Sequence, residues 1–280
     1  MYLNCGKFQL DLSRPLVMGI VNITPDSFSD GGIYFGCDAA LGHARKLIEE
    51  GADILDVGGE STRPGALPVS AEEELERVIP VIEGLSGTHI PISLDSFKPE
   101  VIRKALAAGA SMINDINALQ HPDALVAVVE SNAAVCLMHK RGNPQTMQEQ
   151  PTYQDVVAEI MHFLRSRIEA AENAGIARSR IVVDPGFGFG KTLAHNLALL
   201  RDLGSFNKLG VPLLAGLSRK SMLGAITGRN VEQRDFASVA AALLAVQRGA
   251  KIVRVHNVRA TVDALKVWQT VNGVNVIKHG

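Results

Sequence analysis

The residues able to do chemistry in this sequence gather at one kind of place, directly after short runs of apolar, largely β-branched residues. In chain order they are Asn22; Asp56 with Glu60, Ser61, Thr62 and Arg63; Asp95 and Ser96; Asn114 and Asp115; His139, Lys140 and Arg141; Asp184; Ser218, Arg219 and Lys220; and Arg254 with His256. A carboxylate or hydroxyl after a strand often only caps the next helix, and Asp115 and Ser96 are open to that reading. Helix capping alone does not put a polar group after every run.

Three of these places specify chemistry. Val253 and Val255 alternate with Arg254 and His256, so the two nitrogen-bearing side chains share one face of a strand. Arginine suits bidentate contact with oxyanions and histidine adds a second donor, which points to an anionic ligand. The segment from Asp184 to Thr192, DPGFGFGKT, superficially resembles a phosphate-binding loop, but that pattern needs a glycine five residues before Gly190, where Pro185 stands. It reads better as a carboxylate followed by glycines that let backbone and the Phe189 ring approach a flat ligand. A carboxylate such as Asp184 accepts two parallel hydrogen bonds from an N–H pair on a heterocycle, and Asn114 offers both a donor and an acceptor. Asp95 suits the same task, or acid–base work. Finally, 24–32 (TPDSFSDGG) and 61–66 (STRPGA) mix proline, glycine and functional side chains, a composition that suits lids ordering on a ligand.

Such groups need a scaffold that brings many strand ends together. Strand-type runs are expected at 16–21, 52–57, 90–94, 111–114, 134–138, 180–183, 211–215 and 252–255, with helical patterns between them, among them 71–85, 99–108, 153–174, 235–247 and 258–271. Gly-Ala pairs at 51–52, 109–110 and 249–250 follow helices, where glycine closes the last turn in the left-handed conformation. Alternating strands and helices imply a parallel sheet, and eight strands imply a (β/α)8 barrel, with an open doubly wound sheet as the alternative. In a barrel the strand ends form the active face, and the ends of the last two strands are its usual phosphate corner. The run 236–246 is apolar on nearly every side, so it packs on the barrel and against either the interior or a second subunit.

Bulk properties narrow the class further. The 280 residues suit one barrel, and no linker or low-complexity tract divides them, so residues 1–280 are expected to form one domain. With a net charge of −1 and no basic cluster, the chain is not expected to bind nucleic acid or a membrane surface. The amino terminus lacks an export signal, no apolar stretch is long enough to span a bilayer, and Cys5, Cys37 and Cys136 are odd in number without metal-type spacing. A cytoplasmic enzyme acting on small molecules is expected.

The motifs MGIVNITPDSFSDGG at 18–32 and DVGGESTRP at 56–64 resemble the paired amino-terminal motifs of the bacterial dihydropteroate synthase family, and DSF at 95–97, ND at 114–115, DPGFGFGK at 184–191, SRK at 218–220 and RVH at 254–256 follow in order. The resemblance implies a (β/α)8 barrel in which the amine of p-aminobenzoate displaces diphosphate from 6-hydroxymethyl-7,8-dihydropterin diphosphate, giving 7,8-dihydropteroate for folate synthesis. By that resemblance Asp95, Asn114, Asp184 and Lys220 hold the pterin. Asn22, Thr62, Arg63, Arg254 and His256 surround the diphosphate, with Mg2+ on Asn22. Phe28, Pro64, Phe189 and Ser218 line the p-aminobenzoate pocket, and sulfonamides compete there. Asp95, Lys220, Arg254 and His256 are the residues expected to act in catalysis, and a homodimer is implied. The rival readings are a methyltetrahydrofolate–corrinoid methyltransferase, which has no need of a diphosphate corner, and an inactive pterin-binding barrel.

Overall fold

The computed structural model describes residues 1–23, 32–61, 67–142, 147 and 151–273. Two short strands, β1 (Tyr2–Cys5) and β2 (Phe8–Asp11), form an antiparallel hairpin. Eight parallel strands follow: β3 (Leu16–Asn22), β4 (Ile54–Gly58), β5 (Ile92–Asp95), β6 (Met112–Asp115), β7 (Ala134–Met138), β8 (Ile181–Asp184), β9 (Leu214–Ala215) and β10 (Ile252–Val255). Each pairs with its neighbour in the order β8-β7-β6-β5-β4-β3-β10-β9, and a parallel bridge between Val183 and Leu213 joins the two ends. That ring overturns the open-sheet alternative.

Helices α1 (Gly32–Glu49), α2 (Ala71–Leu85), α3 (Pro99–Ala108), α4 (Pro122–Val129), α5 (Val156–Asn173), α6 (Leu193–Arg201), α7 (Ser221–Thr227), α8 (Asp235–Gln247) and α9 (Val258–Val271) lie between and after the strands. Local chemistry sets their ends. Ser70 and Glu73 form a reciprocal capping box at the start of α2, Asp155 accepts from Val157 and Ala158 at the start of α5, and Pro99 and Pro122 occupy first helical turns, where no backbone donor is needed. The expected helix-closing glycines, Gly51, Gly109 and Gly249, have φ of 96°, 117° and 100°.

Side-chain alternation along the strands makes two cores. Val17, Leu55, Leu94, Ile113, Val135, Val183 and Val253 pack outward against the helices. Met18, Ile54, Met112, Ala134, Cys136, Val182, Leu214 and Ile252 fill the interior, where Leu3, Cys5 and Leu12 of the hairpin segment join them. The hairpin therefore plugs the barrel at the N-terminal ends of the strands. Each fully buried Leu there contributes on the order of 1.5–3 kcal/mol. Following the inner rows toward the C-terminal ends, apolar residues give way to polar ones: Ile54 to Asp56, Met112 to Asn114, Val182 to Asp184, Ile252 to Arg254. One end of the barrel is a dry core and the other a polar mouth.

The strands fall close to their expected places. The expected run 211–215 contracts to Leu214–Ala215, because Pro212 has no N–H for a ladder; its carbonyl instead accepts from Val183 N at 3.0 Å. The antiparallel hairpin was not expected, and the helices of residues 32–49, 122–129, 193–201 and 221–227 fill places between strands for which the sequence reading named no bounds.

Candidate active site

Asp56, Asp95 and Asn114 come from three adjacent strands, and Arg254 reaches them from β10. Arg254 donates from Nε to Asp56 Oδ2 at 2.5 Å and from Nη2 to Asp95 Oδ2 at 2.6 Å. Asn114 Nδ2 donates to the same Asp56 oxygen at 3.1 Å. Arg254, expected from the sequence to meet an anion, thus sits between two carboxylates, an arrangement its position on the strand did not disclose. Burial opposes the charge on Arg254, but Asp56 and Asp95 outweigh it and raise its pKa. Burial pushes Asp95 up to about 7 against the pull of Arg254, and the charges of Asp56, Glu74 and Asp115 add to the rise.

A second group of residues surrounds Gly216. A Cβ at that position would lie 3.8 Å from Asp184 Oδ2, 3.8 Å from Arg254 Cβ and 3.9 Å from Lys220 Nζ. The bare backbone therefore leaves room in front of a carboxylate and an ammonium. Asp184 is buried, and its Oδ1 accepts from Gly186 N at 2.7 Å. Burial raises its pKa, with Lys220 and the Gly186 N–H opposing. Burial lowers Lys220 to about 8 despite the attraction of Asp184. Lys220 Nζ donates to the Phe187 carbonyl and stands 4.7 Å from the centre of the Phe189 ring.

The loops carrying these groups are braced from behind. Arg219, with a left-handed φ of 57°, pairs with Asp235 at 2.9 Å, and its N–H donates to Ser238 Oγ, fixing the turn that presents Ser218 and Lys220. Ser218 Oγ and His256 Nδ1 are 2.9 Å apart. Gly186 has φ of 70° and packs so tightly that a Cβ would penetrate the His139 carbonyl oxygen. Lys191 is only 3 % exposed and points under this loop, to His139 Nδ1 at 3.0 Å and Phe189 O at 2.9 Å, which explains in structural terms why it is not a phosphate-loop lysine. Burial, then the Lys191 charge, drive His139 down to about 3.

Across the mouth, Lys98 Nζ contacts Glu60 at 2.7 Å, Glu74 at 2.6 Å and the Val69 carbonyl at 2.6 Å. The space a Cβ on Gly58 would enter lies 3.8 Å from Asn22 Oδ1 and 3.8 Å from Asp95 Oδ2.

Of the residues expected from the sequence, Asp95, Asn114, Asp184, Phe189, Ser218, Lys220, Arg254 and His256 thus lie in linked contacts at one end of the barrel, with Asn22 at its rim. Phe28, Thr62, Arg63 and Pro64, with most of the two expected lids, lie outside the described residues. Asp56 was read as a strand-end carboxylate but not as a member of the site; its inward row, two residues before Gly58, was the available signal. Lys98 gave no comparable signal, and although His139 and Lys191 were both read from the sequence, their contact with each other was not, since it joins residues 52 apart. Among the described residues no group of three or more His, Cys, Asp or Glu side chains is arranged to hold a metal ion.

A pterin-binding enzyme family matches residues 18–256. The chain is 52% identical over 261 residues to a protein of Haemophilus influenzae named dihydropteroate synthase, covering 93% of this chain and 95% of that one. The chain belongs to the dihydropteroate synthase family. The structure of Xanthomonas albilineans dihydropteroate synthase with 4-aminobenzoic acid superposes with a TM-score of 0.92 at 58% identity, covering 98% of this chain and 99% of that one. A second structure of the Xanthomonas albilineans dihydropteroate synthase, in complex with 7,8-dihydropteroate, gives a TM-score of 0.89 at 55% identity over 98% of this chain and 100% of that one. The chain is therefore an enzyme, a transferase, and its relatives are named for the synthase and not for the corrinoid methyltransferase.

Proposed function

We infer that this chain joins p-aminobenzoate to 6-hydroxymethyl-7,8-dihydropterin diphosphate, releasing diphosphate and forming 7,8-dihydropteroate. The observation that carries this reading is the space in front of Gly216, where Asp184 and Lys220 converge beside the Asp95–Asn114–Asp56 floor. Two carboxylates and an amide suit the N–H and carbonyl edge of a pterin. Asp95, Asn114, Asp184 and Lys220 are proposed to hold that ring. Arg254, His256 and Asn22, with Thr62 and Arg63, are proposed to receive the diphosphate. Phe189 and Ser218, with Phe28 and Pro64, are proposed to line the p-aminobenzoate pocket, where a sulfonamide would compete.

In the reaction the exocyclic C–O bond breaks, diphosphate leaves with the electron pair, the amine nitrogen forms the new C–N bond and then loses a proton. No protein nucleophile is needed, because a diphosphate held by cations is already a good leaving group. Asp95 and Asp184 set a negative potential under the methylene carbon as positive charge develops there. Arg254 and His256 stand at the leaving oxygens. Asn22 Oδ1, a hard oxygen near Asp95 Oδ2 across Gly58, suits Mg2+, which when bound with the diphosphate would neutralise part of its charge.

Finer features belong to the same proposal. Leu193 and Leu197 of α6, Ile226 of α7, and Phe236 and Leu244 of α8 are exposed apolar side chains on three successive helices, and Phe236 is 91% exposed. That face supports a homodimer. Cys5, Cys37 and Cys136 are free thiols, which supports action in the reducing cytoplasm. No helix among the described residues is long and apolar enough to cross a membrane. Residues 1–280 are proposed to act as one domain.

The test is diphosphate release from purified protein given the dihydropterin diphosphate and Mg2+, with and without p-aminobenzoate. Release that requires p-aminobenzoate and yields dihydropteroate supports the reading. Pterin binding without release refutes it.

A further inference from the structure

We propose that Asp56 is a positioning residue that ties the heterocycle-reading amide of Asn114 to the anion-binding guanidinium of Arg254, so that the two ends of the pterin diphosphate are read by one linked device. The proposal rests on the functional reading above.

Three observations carry it. First, Asp56 is fully buried, so it cannot be a surface counter-ion. Second, a single oxygen, Oδ2, takes both bonds, from Arg254 Nε at 2.5 Å and Asn114 Nδ2 at 3.1 Å, while Oδ1 is buried without a hydrogen-bond partner among the described residues. A carboxylate used only for stability would distribute its donors over both oxygens; leaving one unmade is costly. Third, the two carboxylates on Arg254 differ in exposure. Asp56 has 0% side-chain exposure and Asp95 has 11%. Asp56 is the fixed anchor of the Nε edge, and Asp95 is the partner that substrate reaches.

Orientation follows from this sharing. An asparagine side-chain amide has two roughly equivalent orientations, and donation to Asp56 selects the one in which the Asn114 carbonyl oxygen faces away from Asp56. The same oxygen turns the guanidinium plane by holding its Nε. Disturbing either donor shifts the acceptor that the other depends on, so the pterin end and the diphosphate end are coupled through one atom.

The test measures binding of two separate probes, 6-hydroxymethylpterin and inorganic diphosphate with Mg2+, by calorimetry on the whole protein. Asp56→Asn keeps the shape and removes the charge. Both probes are expected to weaken by about tenfold or more, the scale of a lost charge-assisted hydrogen bond, while KM for p-aminobenzoate stays within about threefold of wild type, since ordinary non-contact effects are small. Asn114→Ala serves as the second variant, needing no change at Asp56. It should weaken diphosphate as well as pterin by roughly threefold or more, and add nothing further to the diphosphate loss in an Asp56→Asn background. Loss of one probe alone in Asp56→Asn, unchanged diphosphate affinity in Asn114→Ala, or equal losses in all ligands with a lowered Tm would overturn the linkage. If wild-type protein binds neither probe, the functional reading itself fails, and this is seen before any variant is made.

Discussion

Asp184→Asn exchanges one atom deep in the mouth and preserves shape. The Gly186 N–H, 2.7 Å from Oδ1, needs an acceptor, so the amide oxygen of the variant takes that place. The new NH2 then occupies the Oδ2 position, 3.8 Å from the open point at Gly216 that Lys220 Nζ approaches to 3.9 Å. The pterin N–H would then meet a donor in place of an acceptor, beside the Lys220 ammonium. Losing one charge-assisted pair and leaving donors unsatisfied costs about 2–4 kcal/mol in transition-state binding. At about 1.4 kcal/mol per decade that is roughly a 30- to 700-fold fall in kcat/KM. Stability should move the other way. Burial raises the Asp184 pKa, so the ionised carboxylate is disfavoured in the folded state, and above that raised pKa wild type carries a penalty the variant lacks. The assay is diphosphate release coupled to a pyrophosphatase, with Tm measured by calorimetry. A kcat/KM within about threefold of wild type would refute the role, since a direct charged contact is worth more than that.

Four other perturbations are specified by the geometry. Gly216→Ala should leave Tm unchanged, because the added methyl makes only ordinary contacts, yet weaken 6-hydroxymethylpterin binding by about tenfold or more by filling the space before Asp184; calorimetry with that probe checks it. Gly186→Ala should lose on the order of 3 kcal/mol or more in urea unfolding, since its Cβ overlaps the His139 carbonyl and its φ is 70°. Lys220, lowered to about 8 by burial, loses its proton above that pH, so kcat/KM should fall on an alkaline limb near 8, and Lys220→Arg should remove that limb while retaining charge. His139 is neutral in the fold down to about 3, whereas an unfolded histidine takes a proton below about 6.5, so its contribution is present at neutral pH and lost as pH falls through that window. Urea unfolding of His139→Gln should accordingly lie well below wild type at neutral pH and approach it near the acid end.

The barrel was legible because each strand carries its own outward apolar row, as in Leu55–Val57 or Val253–Val255, and each helix its own closing glycine or cap. The hairpin was harder to read: Tyr2–Cys5 and Phe8–Asp11 are four residues each, and their meaning comes from the distant interior residues they cover. In the mouth, strand position disclosed Asp95, Asn114, Asp184 and Arg254 as inward polar groups. It could not disclose that Asp56 and Asp95 share Arg254, because that pairing spans 198 and 159 residues of chain. Lys191 shows the same limit from the other side: spacing excluded a phosphate loop, but only tertiary packing shows where the side chain goes, beneath the loop against His139 and Phe189 O.

Among the described residues, the hairpin and the interior side chains it covers close the barrel at the N-terminal ends of its strands and leave the polar mouth at the other end. On the proposed function a dead-end mouth imposes an order of traffic: a ring held by Asp184 and Asn114 arrives before a second substrate seated above it at Phe189, and the occupant nearest the rim leaves first. The joined product, spanning both depths, has to withdraw by the door through which its halves entered. On that same reading, an occupant lodged near the rim would block the deep seat from both filling and emptying.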